Sequence, residues 1–150
     1  MTLHTFTTEL WLPAARETVF SFFADAHNLQ AITPPWLNFQ ILTPPPIRMY
    51  PGARIDYRLR IRCVALTWQT EITAWEPAVR FVDEQRRGPY RRWIHTHTFV
   101  DQDGGTLCQD HIEYAVPGGR LVNRLMVYRE VKKIFEYRAT ALARRYPPGG

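Results

Sequence analysis

FVDEQRRGPYRRWIHTHTF, residues Phe81–Phe99, decides how this chain is built. Gly88-Pro89 at its middle is a turn pair, and the runs on either side alternate with a period of two. The stretch is a β-hairpin. On its first strand Phe81, Asp83 and Gln85 share a face; on the second Trp93, His95, His97 and Phe99 do. The apolar ends of both sets belong to a core, and a carboxylate, an amide and two imidazoles go in with them. Such groups raise the free energy of an apolar interior unless they are hydrogen-bonded or meet solvent in a cavity. The hairpin therefore predicts a partly polar pocket inside a small β-rich domain.

The flanking sequence extends the sheet. In RIDYRLRIR, Arg54–Arg62, the residues Ile55, Tyr57, Leu59 and Ile61 face one way and five charged residues face the other. This is a strand with one dry and one wet face. Leu66, Trp68, Thr70 and Ile72 continue the dry face, and Glu71 on the wet face offers Arg58 or Arg60 a cross-strand partner. Beyond the hairpin, Asp103-Gly104-Gly105 turns the chain into a last strand, Thr106–Tyr114, where Cys108, Asp110, Ile112 and Tyr114 share a face. At the front, Thr5–Leu12 alternates as a strand, with Trp11 out of phase. Pro13 opens a helix carrying Val19, Phe20 and Phe23 inward. Asn28 is placed to cap a second short helix, LQAI, ended by Pro34-Pro35. Leu37–Leu42 is a short strand, and Pro44-Pro45-Pro46 a stiff connection.

Pro117-Gly118-Gly119 stops the sheet, and Arg120–Tyr146 reads as one long helix of about 40 Å. Leu121, Leu125, Tyr128, Val131, Phe135, Ala139 and Leu142 form its main apolar stripe, with Met126, Ile134, Tyr137 and Ala141 in a weaker second one. A helix this long and apolar lies on the sheet's dry face. The closing Pro147–Gly150 is expected to fray.

At 150 residues the chain has the size of one domain, residues 1–150. Nineteen basic against fourteen acidic residues leave +5, spread along the sequence, which describes a solvated surface and no nucleic-acid partner. Arg86, Arg87, Arg91 and Arg92 around the hairpin turn belong to that surface. Two cysteines without a CxxC spacing suggest neither a disulfide framework nor a zinc site, and fit a reducing cytoplasm. No signal peptide and no membrane span is expected. Phosphate loop, dinucleotide fingerprint and nucleophile motif are all missing, so hydrolase, kinase and dehydrogenase readings have no support, and no cofactor is assigned.

A strand, two short helices, six antiparallel strands and a long C-terminal helix make a recognisable order. It resembles the START-like, helix-grip (SRPBCC) superfamily over nearly the whole chain. Thr18-Val19-Phe20, AITPP at Ala31–Pro35, the Phe81–Phe99 stretch and IFEYR at Ile134–Arg138 are similar to the small bacterial proteins grouped as polyketide cyclases, dehydrases and lipid-transport proteins. The resemblance implies an α+β fold in which a curved sheet of about seven strands wraps the last helix around a cavity. It implies no particular reaction.

For that cavity, Tyr57, Trp68, Trp93, Tyr114 and Phe135 are the candidate walls, suited to a lipid, isoprenoid or aromatic body. Asp83, Gln85, His95, His97 and Asp110 are the candidate polar groups, and Arg138 is expected to point a guanidinium at an acid such as Asp83. A metal would need Asp83 or Asp110 beside the two histidines, and none is assigned. Binding of a small hydrophobic molecule is the expected role. A cyclase or dehydratase using a histidine with an aspartate partner is the alternative. A second alternative is an interaction module whose Met126, Ile134 and Tyr137 stripe docks another protomer or a membrane surface, without stable insertion.

Overall fold

The protein is described by a computed structural model covering residues 1–149; Gly150, the end of the tail expected to fray, lies outside the described residues. Seven strands form one antiparallel sheet in the order β1-β7-β6-β5-β4-β3-β2: β1 His4–Leu12, β2 Gln40–Ile41, β3 Arg54–Ile61, β4 Val64–Glu76, β5 Arg80–Arg87, β6 Arg92–Gln102 and β7 Gly105–Ala115. The expected hairpin is β5–β6, with Phe81 opposite His97 and Asp83 opposite His95. Register shifts between Gln69 and Thr70 and between Ile72 and Ala74 bulge β4 against β5, which increases twist and curves the sheet.

β3 alternates as its sequence dictates, Ile55, Tyr57 and Leu59 buried and Arg54, Asp56, Arg58 and Arg60 exposed. The cross-strand ion pair is a correction. Register sets Arg58 opposite Thr67 and Arg60 opposite Ala65, so Glu71 pairs instead with Arg54 of β3, at 3.0 Å, and with Arg86 of β5, at 3.4 Å. At the other edge, out-of-phase Trp11 donates its indole N–H to the Gln102 carbonyl at 2.8 Å. The ring lies over Gly105, where a Cβ would collide with it and with the Leu12 carbonyl.

Helix α1, Arg16–Ala24, buries Val19, Phe20 and Phe22, while Phe23 is only half-buried. Phe20 sits among Trp75, Phe81 and Phe99 at centroid distances of 5.0–6.1 Å and pins α1 to one end of the sheet. A 3-10 helix follows at Ala26–Ile32. Its cap is Asp25, whose Oδ1 accepts from the His27 N–H at 3.0 Å; Asn28, expected to cap it, instead donates back to the Phe22 carbonyl at 2.9 Å. The expected strand from Leu37 shrinks to Gln40–Ile41. Leu37 closes a second 3-10 turn, Pro35–Leu37, and Asn38 behind it has φ +47°, which no strand tolerates.

The C-terminal helix corrects its predicted stripe. It runs as α2, Gly119–Val122, a π-helical turn, Asn123–Val127, and α3, Tyr128–Arg145. The Tyr128 N–H bonds the carbonyl of Asn123, five residues back, so one extra residue enters the turn and rotates everything before it. Val122 and Val127 pack inward with Val131 and Phe135. Leu121 (65 % exposed), Leu125 (50 %) and Tyr128 are left outside. The π-turn is tied to the sheet by the Tyr114 hydroxyl, which donates to Asn123 Oδ1 at 2.6 Å. From Val131 onward the predicted phase holds, with Val131, Phe135 and Leu142 buried. No described helix is long and apolar enough to cross a membrane.

Candidate functional site

Between the inner face of the sheet, α3 and the 3-10 segments lies a hollow of about 300 Å³. Eight of the eleven residues singled out from sequence border it: Tyr57, Trp68, Asp83, Trp93, His95, His97, Phe135 and Arg138. The other three lie elsewhere. Gln85 is spent on the hairpin, its amide donating to the Tyr90 carbonyl at 2.7 Å and accepting from the Tyr90 N–H at 3.1 Å. Tyr114 is sealed beneath the π-turn. Asp110 stands behind the histidines as their support. The stripe proposed for docking is partly occupied as well: Met126 and Ile134 border the hollow, and Tyr137 packs edge-on against Trp36 at 5.9 Å.

The polar wall comes from three adjacent strands, β5, β6 and β7. His95 and His97 are 4 % and 6 % exposed, so their hydrogen bonds are made within the protein. Each imidazole reaches one strand sideways and one residue pair along. His95 Nε2 meets Asp110 Oδ1 at 2.7 Å, and His97 Nε2 meets Asp83 Oδ2 at 2.7 Å. The rings stack on each other at 3.6 Å, and His97 stacks on Phe81 at 4.0 Å, giving a column that holds the donors in place. His97 Nδ1 also lies 3.4 Å from Asp110 Oδ1, so both carboxylates crowd the pair of rings.

Electrostatics follow from this geometry. Burial pushes both carboxyls up, but the imidazole hydrogen bonds, the neighbouring histidines and Arg138 outweigh it. Asp83 is held below the ordinary carboxylate range, and Asp110 is held down at about 2. Burial, then the neighbouring His95, lowers His97 to about 4 against the pull of Asp83. At neutral pH His97 is therefore an uncharged imidazole, its Nε2–H donating to an ionised Asp83. Burial likewise raises the Tyr57 phenol, which stays protonated.

As expected, Arg138 points its guanidinium toward an acid, though not toward Asp83. Its nearest carboxylate is Asp110, with Nη1 3.9 Å from Oδ1, too long for a hydrogen bond. The guanidinium lies over the Phe135 ring at 4.8 Å, and its buried Nε has no hydrogen-bond partner among the described residues. Asp83, His95 and His97 also offer three donor atoms within 4.8 Å of one another; an ion there would have to displace the proton shared in the 2.7 Å His97–Asp83 bond.

Sequence reasoning missed the rim. Arg62 and Glu130 both border the hollow and pair at 3.5 Å, joining the β3–β4 turn to α3. Arg62 had been placed on the wet face with its neighbours. Its φ of +51°, followed by +66° at Cys63, takes it out of that alternation. Phe39, tilted against Tyr57 at 4.9 Å, and Tyr90, 4.7 Å from Trp93, also join the wall; both come from loops, which carry no periodicity to read.

Known structures share this arrangement of sheet and helix. The Zhui aromatase/cyclase from Streptomyces sp. R1128 superposes with a TM-score of 0.74, at 15 % identity over 99 % of both chains. Protein CV1439 from Chromobacterium violaceum superposes with a TM-score of 0.75, at 15 % identity over 97 % of this chain and 99 % of that one. For Ara h 8.0201 the TM-score is 0.67, at 16 % identity over 94 % and 98 %. At such identities the likeness is one of fold. No curated protein is a significant match to the sequence. Residues 12–133, from the end of β1 into α3, match the model of one family, and the chain belongs to it: polyketide cyclase / dehydrase and lipid transport.

Proposed function

We propose that this protein binds a small hydrophobic molecule, of lipid, isoprenoid or aromatic polyketide type, in the hollow between sheet and C-terminal helix. One observation carries the reading. A space of about 300 Å³ is bordered by large apolar side chains on most sides and by a pre-organised polar column on one. Interiors are normally filled to crystal density, so an unfilled volume of this size is the shape of a ligand site. Trp68 and Trp93, perpendicular at 5.4 Å, and Phe135 supply flat apolar contact, while Asp83, His95 and His97 address the ligand's polar end. Family membership supports hydrophobic ligand binding in general. The setting proposed is the cytoplasm, consistent with an exposed free thiol at Cys63. Native mass spectrometry of gently purified protein, followed by solvent extraction, is expected to recover a stoichiometric hydrophobic molecule. The reading is abandoned if the protein is empty and a neutral solvatochromic naphthalene dye gains no emission on mixing.

A second reading is favoured by the two His–Asp pairs. In a dehydration, an imidazole would take the proton alpha to a ligand carbonyl and return it to the departing hydroxyl, releasing water. His97, lowered to about 4, is a weak base for that task, which ranks carriage ahead of catalysis. Turnover of a β-hydroxy-ketone model substrate, abolished in His97→Gln with dye affinity retained, would reverse the ranking.

A further inference from the structure

The polar end of the hollow has an uneven complement of charge. Two carboxylates, Asp83 and Asp110, stand there with His95 and His97 between them, against one guanidinium, Arg138, 3.9 Å from Asp110. A single imidazole spans the distance: His97 Nε2 is 2.7 Å from Asp83, its Nδ1 is 3.4 Å from Asp110, and Asp110 is 3.9 Å from Arg138. Asp83 and Arg138 both border the hollow, and the buried Nε of Arg138 is left without an acceptor. Nη1 of the same guanidinium also stops short of hydrogen-bond distance from Asp110, so a ligand that supplies it an acceptor gains affinity there. An acidic ligand would supply one but would put a third negative charge into a low-dielectric wall beside Asp83. An ammonium would satisfy Asp83 but leave the Arg138 donor unmet and face its positive charge.

Resting on the reading that the hollow takes a ligand, we infer that the ligand's polar end is an uncharged hydroxyl, phenolic or alcoholic, that donates to Asp83 and accepts from Arg138. Free fatty acids and amines are the classes it discriminates against. The aromatic walls at Trp68, Trp93 and Phe135 favour a flat body carrying that hydroxyl. Selectivity of this kind comes from groups left unpaired by the wrong ligand, more than from fit of the apolar body.

The test uses the full chain and a neutral solvatochromic naphthalene dye, displaced by three probes of one shape: 2-naphthol, 2-naphthoate and 2-naphthylmethylammonium. At pH 7.5, 2-naphthol is expected to displace the dye at a concentration at least about tenfold lower than either charged probe. Asp83→Asn removes a negative charge while keeping an acceptor for His97, and is expected to weaken 2-naphthol and strengthen 2-naphthoate, narrowing or inverting the gap. Arg138→Met keeps the apolar stem and is expected to weaken 2-naphthol about tenfold while the ammonium improves. Dye binding with naphthoate or the ammonium equal to or better than naphthol overturns the inference and leaves the ligand site standing. An unchanged ranking in the variants overturns it too. A dye that never binds removes the site and the inference together. Should circular dichroism show Asp83→Asn unfolded, Arg138→Met alone decides.

Discussion

His97 shows how far alternation can be trusted at the scale of a single residue. From its place in an HTH triplet one learns the face it occupies, and from Asp83 and Asp110 on neighbouring strands one learns that acids share it. Which acid bonds which ring is set by stagger between strands. The observed pairs run diagonally, His97 to Asp83 and His95 to Asp110, although register puts His97 beside Asp110. Arg138, expected to point at an acid such as Asp83, comes within 3.9 Å of Asp110. The pairing has a consequence for pH. With its pKa lowered to about 4, folded His97 stays neutral where the unfolded chain takes up a proton near 6.5. Between those values the unfolded state binds more protons, so stability rises with pH and is lost on acidification. Asp110, lowered to about 2, acts in the same direction below about 3.8. Urea denaturation is expected to show the protein losing up to about 3 kcal/mol between pH 7 and pH 4.5. His97→Gln, which keeps an N–H for Asp83, is expected to flatten that slope. A wild-type profile already flat over this range would mean the imidazole is charged in the fold.

At the scale of elements, β3 and β6 were legible because period-2 burial survives wherever strands pair without interruption. The elements that departed did so at backbone irregularities with no hydrophobic signature. Asn38 at φ +47° cut β2 to two residues, and the π-turn rephased the start of the long helix. Leu121 fits a straight α-helical stripe better than Val122 does, so hydrophobicity alone selects the wrong side there. A substitution pair separates the two phases. Leu125→Ser is expected to change stability by no more than about 0.5 kcal/mol, whereas Val131→Ala, at a site 1 % exposed, is expected to cost about 2 kcal/mol. A large loss at Leu125 in chemical denaturation would restore the uninterrupted helix. Asn123→Ala tests the anchor. It strands the buried Tyr114 hydroxyl, bonded at 2.6 Å, and is expected to cost about 1–3 kcal/mol.

For the whole molecule, periodicity says which face of the sheet is covered and is silent on how far away the cover stands. The eight site residues that border the hollow were found as members of an inward face. That this face encloses space depends on the 3-10 segments and the β3–β4 turn, which hold the helix off the sheet and whose sequence has no period. Unfilled volume forfeits dispersion contacts, so the hollow lowers the stability of the empty protein, and a substitution that fills it trades function for stability. Ala26 is the place to do so: it borders the hollow, is 2 % exposed, and opens the 3-10 helix Ala26–Ile32. Ala26→Leu adds about three methylene equivalents and is expected to stabilise the unliganded protein by about 1 kcal/mol, less than full burial of those groups because packing will be imperfect. The same substitution is expected to weaken dye binding at least tenfold, since the dye must now displace a side chain. Thermal unfolding with and without dye reads both effects in one experiment: the unliganded midpoint rises and the ligand-induced shift collapses. If the midpoint rises while the shift persists undiminished, Ala26 fills space the ligand does not use, and the ligand body lies against the Trp68–Trp93 wall alone.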